Sequence, residues 1–540
     1  MTVANRKSLG SRLRALLPTI WHALTFRNLT GWPPEKSTRD TAWLDGLRGV
    51  SAFLVMIGHF GLTFWRAWTY DAPFGANDVR TQGGPDNPRA PLHDIWRLPI
   101  LRVWFSSGHA QVAIFFILSG FVLSWGSLRS MRQGQTSALG SSLGSSVFRR
   151  WIRLYLPCFA VAFWQMLELR VGLRGNITIT IEKYLYMQVW DFIKYSAIFA
   201  NPFTINRDDS QYIHKYDWTM WTIPHEYAGS LLVYLTVLGV SRCNSQRKRT
   251  AVLLLLAVTA HIAAQWDFWL FATGVLFANY VVARGGFAQL GHDSSFLIRT
   301  VWVLVLIVGL LMAGIPPKAR EYYDRHGYDW LDRLVPKAWE EHEGGLRLWW
   351  CWAGILCVTS CAHLPLARKF FELPLMRYMG RISYMLYLLH RVVLNLVGQP
   401  LTEAVYKPFG RTGYIDFSKA GDGKVGGNFG FRCITFLIYL ILLLVMVPLT
   451  FLVSHWGEVL IDAPSTRLAR SVDNWFSKSG EEKVEETVKL DTLPSHAVHL
   501  SESPTLPPSR SRATDEAEYE DEPLLAGDEL HGEASERQHV

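Results

Sequence analysis

The sequence has little that would support a disulfide or zinc framework. Its six cysteines form no CxxC pair, and most of them lie in or beside apolar runs, which predicts buried free thiols. An HExxH motif or a comparable spacing of metal ligands is also missing, so we expect no metal site. The first 40 residues are basic but lack an apolar core and a small-residue cleavage site. The first membrane helix is therefore expected to act as the targeting signal.

Charged residues are scarce as well. They make up 19% of the 540 residues, whereas 49% are hydrophobic and 23 are tryptophan, a composition that favours a polytopic membrane protein. The net charge of +8 is unevenly divided, because Asp473 to Val540 holds 17 acidic and 6 basic residues, a balance of −11 that leaves +19 for the rest. Basic residues in the body suit a membrane-orientation signal, and no nucleic-acid surface is predicted.

Apolar runs of about the length that crosses a bilayer recur along the chain. They lie at about residues 44–64, 109–128, 147–169, 218–240, 250–265, 266–284, 297–314, 347–366, 378–398 and 432–455. We therefore predict an all-α integral membrane protein with about ten transmembrane helices. The predicted organisation is a basic cytosolic segment at 1–40, a transmembrane domain at 41–470 and a disordered acidic cytosolic tail at 471–540, rich in Ser, Pro and Glu.

The charges in the connections predict the orientation. Alternate connections are rich in Arg and Lys and should face the cytosol, which puts both termini on that side. The longer loops, at about 65–108, 170–217, 315–346 and 399–431, would face the lumen or exterior. One of them contains Asn176-Ile177-Thr178, a predicted glycosylation site. With a sorting-like motif in the acidic tail, this favours a membrane of the eukaryotic secretory or endomembrane system.

The first apolar run contains two ionisable residues, Arg48 and His59. Such residues are costly in hydrocarbon, so they indicate a functional site. On a helix the eleven residues between them amount to about 1,100°, which places both side chains within about 20° of one face and about 16 Å apart along the axis. The structural alternative is an arginine that snorkels to the helix end and a histidine that bonds to a neighbouring helix.

Five short stretches stand out in the chain: Leu44–Gly49 with the Arg-x10-His spacing, Gln111–Phe121, Arg149–Pro157, Trp221–Tyr227 and Gly380–His390. In this order they resemble the membrane-bound acyltransferase-3 family over roughly residues 40–470. The fourth departs from the form associated with bacterial members, where Ser or Val precedes the acid, since Pro224 and His225 stand here.

The resemblance implies an integral-membrane enzyme that transfers an acyl group, expected to be acetyl or another short chain, from acyl-CoA to a hydroxyl of a carbohydrate, lipid or secondary metabolite. Acyl-CoA would be a co-substrate, with no permanently bound cofactor. The family's Arg-x10-His and Arg-x-x-Arg elements fall on Arg48, His59, Arg150 and Arg153. A transporter or flippase that uses the same polar layer, or an inactive regulatory member of the family, are the alternatives.

The residues themselves support a site at two depths. Counting the helical rise places His59, Glu226 and His390 in one layer, about 18–22 Å above the cytosolic end of their helices. Arg48, Arg150 and Arg153 lie near the cytosolic end, where guanidinium groups could bind the phosphates of acyl-CoA, although the positive-inside rule alone also predicts arginines there. A pantetheine arm of about 16 Å could then reach His59.

Roles follow from the chemistry of these groups. His59 is predicted to be the general base, since imidazole titrates near neutral pH, and Glu226 would orient it or bind the acceptor. An acyl-histidine intermediate on His59 is the competing mechanism. Tyr384, Tyr387 and His390 are predicted to line the acceptor path, or alternatively to form a polar helix interface.

Overall fold

The computed structural model describes residues 39–65, 73–76, 93–137, 139–173, 179–202, 213–292, 295–316, 326–406 and 429–490. Most of the predicted basic segment, the predicted glycosylation site Asn176 and the tail beyond residue 490 lie outside these ranges. Within them the chain is helical and contains no β-strand. The all-α prediction is therefore confirmed for the described residues.

The described helices of seven or more residues are numbered here in chain order. They are α1 (Ala42–Trp65), α2 (Gly108–Arg132), α3 (Leu139–Arg170), α4 (Leu185–Phe199), α5 (Thr222–Val240), α6 (Gln246–Ile262), α7 (Trp266–Arg284), α8 (Phe296–Ala313), α9 (Leu346–His363), α10 (Pro365–Phe371), α11 (Pro374–Val393), α12 (Gln399–Tyr406), α13 (Phe429–Gly457) and α14 (Ala463–Leu490). Shorter helical segments lie at Ile95–Arg97, Val103–Ser106, Trp218–Trp221, Phe287–His292, Asp329–Asp332, Lys337–Trp339, Glu343–Gly345, Leu394–Gly398 and Glu458–Asp462.

Each of the ten predicted runs corresponds to a helix, but the count of ten spans is not confirmed. By length and composition, five described helices could cross a membrane: α2, α3, α7, α8 and the continuous helix Phe436–Ser477. A sixth is possible if α9 and α10, which meet at a bend of 101°, form one span. Several of the other helices are short or carry charged residues. Helix α6 has 17 residues and begins with a basic turn, and α11 carries Arg377, Arg381 and Arg391.

Some helices were not predicted from the apolar runs, among them α4, α12 and α14. Helix α4 lies inside the loop predicted at 170–217, and at 15 residues it is about 22 Å long, too short to cross a core of about 30 Å. Helix α14 continues to Leu490. The predicted boundary at residue 471 therefore falls inside a helix.

Helices α1 and α11 cross at very short range. A Cβ atom on Gly49 would collide with the backbone of Met379 and Gly380, and one on Gly380 would collide with the carbonyl of Asp45. Only glycine permits this approach. The two helices that carry most of the predicted site are thus held backbone to backbone.

Helices α2 and α7 form a second close crossing. A Cβ atom on Gly120 would collide with the carbonyl of Phe271, and one on Gly274 would collide with the carbonyl of Ile117. Buried aromatic rings surround this crossing, with Phe116 against Phe271 at 5.1 Å between ring centroids. Such packing makes α2 and α7 the centre of the largest apolar cluster of the described residues.

The cysteines behave as free thiols. Cys158, Cys351, Cys357 and Cys361 are buried and Cys243 is partly exposed, and none of these five forms a disulfide. The prediction of free thiols is confirmed for them. The side chain of Cys433 lies outside the described part of the chain.

Candidate active site

His59 and His390 come together where α1 faces α11. Their rings are stacked, with centroids 4.9 Å apart and an interplanar angle of 27°. His390 is fully buried, and His59 is partly exposed. Because Arg48 of α1 also contacts α11, the prediction that Arg48 and His59 share one helix face is confirmed.

The surroundings of His390 determine its tautomer. Its Nδ1 lies 3.1 Å from the carbonyl oxygen of Leu386. A carbonyl can only accept, so Nδ1 carries the proton and donates it. The Nε2 atom of His390 is buried and makes no hydrogen bond. In the neutral ring it holds a free lone pair and can accept a proton.

Trp218, which lies just before α5, is at the same depth as His59. Its ring lies edge-on to His59 at 5.5 Å, and the guanidinium of Arg391 sits 4.4 Å from the Trp218 ring. The contact with His59 places Trp218 in the same layer. Glu226, eight residues further on, therefore lies about 12 Å closer to the arginines.

Glu226 pairs with an arginine and not with His59. Its Oε1 accepts hydrogen bonds from Ser119 Oγ and from Arg150 Nη2, each at 2.6 Å. Arg150 Nε also donates to Ser230 Oγ at 2.9 Å. All three partners are buried. Helices α2, α3 and α5 are joined through this one carboxylate, and a direct orienting contact from Glu226 to His59 is not present.

Arg48 is bound to the helix that carries His390. Its Nε donates to Ser383 Oγ at 2.9 Å and its Nη2 donates to the carbonyl of Gly380 at 2.7 Å. Its remaining terminal nitrogen, Nη1, is buried and makes no hydrogen bond. Arg48 thus combines a structural role with a nitrogen that could bind an anion.

Arg150 and Arg153 have similar spare donors. Arg150 Nη1 and Arg153 Nη2 are buried atoms without a hydrogen-bond partner, and both side chains line a pocket between α3, α5 and α14. Buried guanidinium N–H groups without partners are costly unless a ligand satisfies them. The structure therefore brings the Arg150 and Arg153 side chains to one pocket, where their spare N–H groups could bind an anion.

Tyr384 and Tyr387 use their hydroxyls to join helices. Tyr384 OH donates to the carbonyl of Leu154 at 2.5 Å, which ties α11 to α3. Tyr387 OH is hydrogen-bonded to Thr222 Oγ1 at 2.6 Å and to the carbonyl of Thr219. Both side chains remain partly exposed, and the Tyr387 ring lies 6.2 Å from that of His390. This position is compatible with an acceptor path.

Asp217 is a site residue that the sequence reasoning missed. It is fully buried, and its carboxylate accepts from Thr219 N at 2.9 Å, from Thr219 Oγ1 at 2.5 Å and from Gln165 Nε2. It thereby caps the short helix Trp218–Trp221 and holds Trp218 against His59. An Asp directly before an apolar run is a helix-capping signal that could have identified it.

The sequence reasoning also missed a pair that involves the residue before Glu226 on α5. His225 Nδ1 and Asp267 Oδ2 are 2.8 Å apart, and both residues are buried. The pair ties α5 to α7, which accounts for the histidine beside Glu226. Within the described ranges, no three His, Cys, Asp or Glu side chains cluster closely enough to hold a metal ion.

Outside the membrane-spanning helices, one histidine has a strongly altered pKa. Burial lowers the pKa of His214 to about 4, although the nearby carboxylates of Asp217 and Asp191 act in the opposite direction. Its Nδ1 accepts from Tyr216 N at 3.3 Å. The Nε2–H therefore faces Ser196 Oγ at 3.2 Å. His214 is a neutral structural residue between α4 and α5.

Comparison with known proteins agrees with these motifs. The family Acyl_transf_3, described as an acyltransferase domain, matches residues 41–458. The chain belongs to this membrane-associated acyltransferase family. The family assignment and the enzyme class predicted from the five stretches are therefore confirmed.

Curated relatives come from fungi. The chain is similar to O-acetyltransferase PaAT-1 of Phomopsis amygdali, with 26% identity over 68% of this chain and 75% of the relative. It is also similar to acyltransferase clz18 of Cochliobolus lunatus, with 23% identity over 72% of this chain and 90% of the relative. Acyltransferase R4 of Phoma sp. (strain ATCC 20986 / MF5453) is 23% identical over 71% of this chain and 88% of the relative. None of the solved structures matches.

Proposed function

We propose that this acyltransferase moves an acetyl or other short acyl group from acyl-CoA to a hydroxyl of a carbohydrate, lipid or secondary metabolite. The observation that carries the proposal is the stacked pair His59 and His390, 4.9 Å apart, on the two helices that also hold Arg48. The name of the Phomopsis relative, an O-acetyltransferase, supports oxygen as the acceptor atom.

In the proposed reaction His59 is the general base. It takes the proton of the acceptor hydroxyl as the oxygen attacks the thioester carbonyl and the C–S bond breaks. The imidazolium of His59 then gives this proton to the departing thiolate of CoA. His390 holds the ring of His59 by stacking, and its Nε2 could accept a hydrogen bond from a second hydroxyl of the acceptor, next to the one that reacts. Tyr384 and Tyr387 would line the path to this point.

The donor would lie along α1. Spare guanidinium nitrogens of Arg48, Arg150 and Arg153 would bind its phosphates, since guanidinium and phosphate form paired charge-assisted hydrogen bonds. The rise from Arg48 to His59 is about 16 Å, which suits an extended pantetheine arm. Glu226 supports this end of the site, because it holds Arg150 in place.

The orientation in the membrane is part of the proposal. The basic connections favour cytosolic termini, on the side of acyl-CoA, and the sequon at Asn176 would then face the lumen of a secretory or endomembrane compartment. Protease protection of tags at each terminus in sealed microsomes tests this topology, and loss of the amino-terminal or carboxy-terminal tag in intact microsomes is the expected result.

The decisive experiment measures thiol release from acetyl-CoA by the purified full-length protein with a panel of hydroxylated acceptors. Wild type should release CoA in the presence of a suitable acceptor, and His59→Ala should lower the rate by a factor of about 100 to 10,000. A matched control is His363→Ala on α9, whose ring stacks on Trp302 away from the layer. That variant should keep its activity per folded molecule.

The outcomes separate the possibilities. Release that persists in folded His59→Ala would contradict the assigned base. A folded wild-type protein that binds CoA and yet releases none with any acceptor would contradict the proposed transfer to a hydroxyl. An acyl group trapped on His59 by rapid quenching would replace direct transfer with an acyl-histidine intermediate.

A further inference from the structure

The arginine pocket has a wall that lies beyond the family match. The pocket is lined by Ser146, Arg149, Arg150 and Arg153 of α3, Tyr234 of α5, and Thr466, Ala469 and Arg470 of α14. The family match ends at residue 458, whereas α14 begins at Ala463. The carboxy-terminal helix therefore contributes an additional arginine to a site otherwise built from the family motifs.

The lining of this pocket is strongly basic. Four of its residues are arginines and none is acidic. Nearby carboxylates offset part of this charge, since Glu226 pairs with Arg150 at 2.6 Å, Asp473 pairs with Arg149 at 3.6 Å, and the charge of Asp462 acts on Arg153. Like charges gathered in a partly buried pocket repel each other more strongly than in water. A bound anion would relieve this repulsion and satisfy the spare nitrogens of Arg150 and Arg153.

Helix α14 is fixed in place on α3. Ser145 Oγ donates to Asp473 Oδ2 at 2.5 Å, and the ring of Phe148 meets that of Phe476 edge-on at 5.5 Å. Thr466 and Ala469, which precede Arg470 by four residues and one residue, are buried and line the pocket. These contacts hold the Arg470 side chain at the pocket, while Arg467 on the same helix is exposed.

We propose that Arg470 is a fourth arginine of the phosphate-binding site for acyl-CoA. This inference rests on the proposed function, because it assigns the anion to the donor of that reaction. CoA carries several phosphate groups, and a set of arginines on two helices could bind more than one of them. Helix α14 would thus belong to the donor site, and the chain beyond the family match would set donor affinity.

The test compares two arginines of α14. Binding of CoA is measured with the full-length protein in phosphatidylcholine nanodiscs for wild type, Arg470→Ala and the matched control Arg467→Ala. Both substitutions remove one positive charge from the same helix. Arg470→Ala should raise the Kd for CoA about tenfold or more, and Arg467→Ala should leave it within about twofold. Arg470→Lys keeps the charge and tests the guanidinium geometry if the alanine variant does not fold.

Three results would overturn the inference. Equal losses in Arg470→Ala and Arg467→Ala would indicate a general effect of charge, and unchanged affinity in folded Arg470→Ala would exclude the residue from the site. If Arg470→Ala binds CoA as wild type does but no longer retains added phosphatidylglycerol, the pocket would be assigned to a lipid headgroup. Failure of wild type to bind CoA is a different outcome, because it contradicts the proposed function itself.

Discussion

The α1–α11 and α2–α7 crossings are built in the same way and serve different ends. Each brings two helices into backbone contact through glycine, at Gly49 and Gly380 in the first and at Gly120 and Gly274 in the second. Around the second crossing the neighbours are largely aromatic and aliphatic. Around the first they include a bound arginine and a stacked histidine pair.

The difference shows that close packing by itself does not identify a functional site. Glycine contacts provide rigidity in both places. At the first crossing Arg48 and His390 also keep buried nitrogen atoms without a hydrogen-bond partner, Nη1 of Arg48 and Nε2 of His390. Substitutions made in matched pairs at the two crossings can therefore separate stability from catalysis.

The largest expected effect comes from the histidine pair. His390→Ala should lower acyl transfer by a factor of about 100 at equal amounts of folded protein, because it removes the free Nε2 and the ring that holds His59. Phe271→Leu at the other crossing should lower Tm and spare the rate per folded molecule. Rates with acetyl-CoA and melting curves in detergent check both. Equal losses of rate in the two variants would contradict the assignment of catalysis to the α1–α11 crossing alone.

A second pair tests the glycines. Gly49→Ala and Gly120→Ala should each destabilise the protein by about 1–3 kcal/mol, since the added methyl group collides with backbone in both cases. Thermal unfolding measures this cost. Activity per folded molecule should fall only in Gly49→Ala, where α1 must shift relative to His390. A catalytically normal Gly49→Ala would show that the site tolerates such a shift.

Two serines offer a finer comparison. Ser383 and Ser124 both donate to a carbonyl of the preceding turn, each at 2.7 Å, but only Ser383 also accepts a bond from Arg48. Ser383→Ala should cost about 1–3 kcal/mol and raise the KM for acyl-CoA, because Arg48 loses one of its anchors. Ser124→Ala should leave KM unchanged. Steady-state kinetics decides between a specific and a general role.

The smallest effect concerns a residue outside both crossings. The pKa of His214 is lowered to about 4, against about 6.5 in an unfolded chain. Between these values the unfolded state binds more protons, so stability should fall as the pH drops from about 6.5 to 4. His214→Gln should flatten this part of the Tm-against-pH curve while kcat/KM at neutral pH stays near wild type. An unchanged curve would assign the acid sensitivity to other groups.

Much of the fold could be predicted because the apolar runs are long. Every predicted run is a helix, and the run at 266–284 matches α7 to the residue. Helix α4 was missed because its 15 residues follow no spanning pattern. The spanning count stays unconfirmed because helices such as α11 carry several arginines on short apolar segments.

The site was predictable where it depends on a single helix. Periodicity places Arg48 and His59 on one face, and both contact α11. The partner of Glu226 could not be predicted, because the sequence does not show that Trp218, eight residues earlier, already lies in the layer beside His59. The acidic cap Asp217 and the pair His225–Asp267 depend on contacts between distant segments, which spacing along the chain does not reveal.

The continuous helix Phe436–Ser477 has a mechanical consequence. Its 42 residues make a rod about 63 Å long. Near one end Tyr439 OH lies 3.4 Å from the carbonyl of Ile57, two residues from His59, and near the other end Arg470 faces the arginine pocket. One helix thus contacts α1 beside His59 and also lines the arginine pocket. A substitution that displaces this helix should therefore disturb both ends of the site.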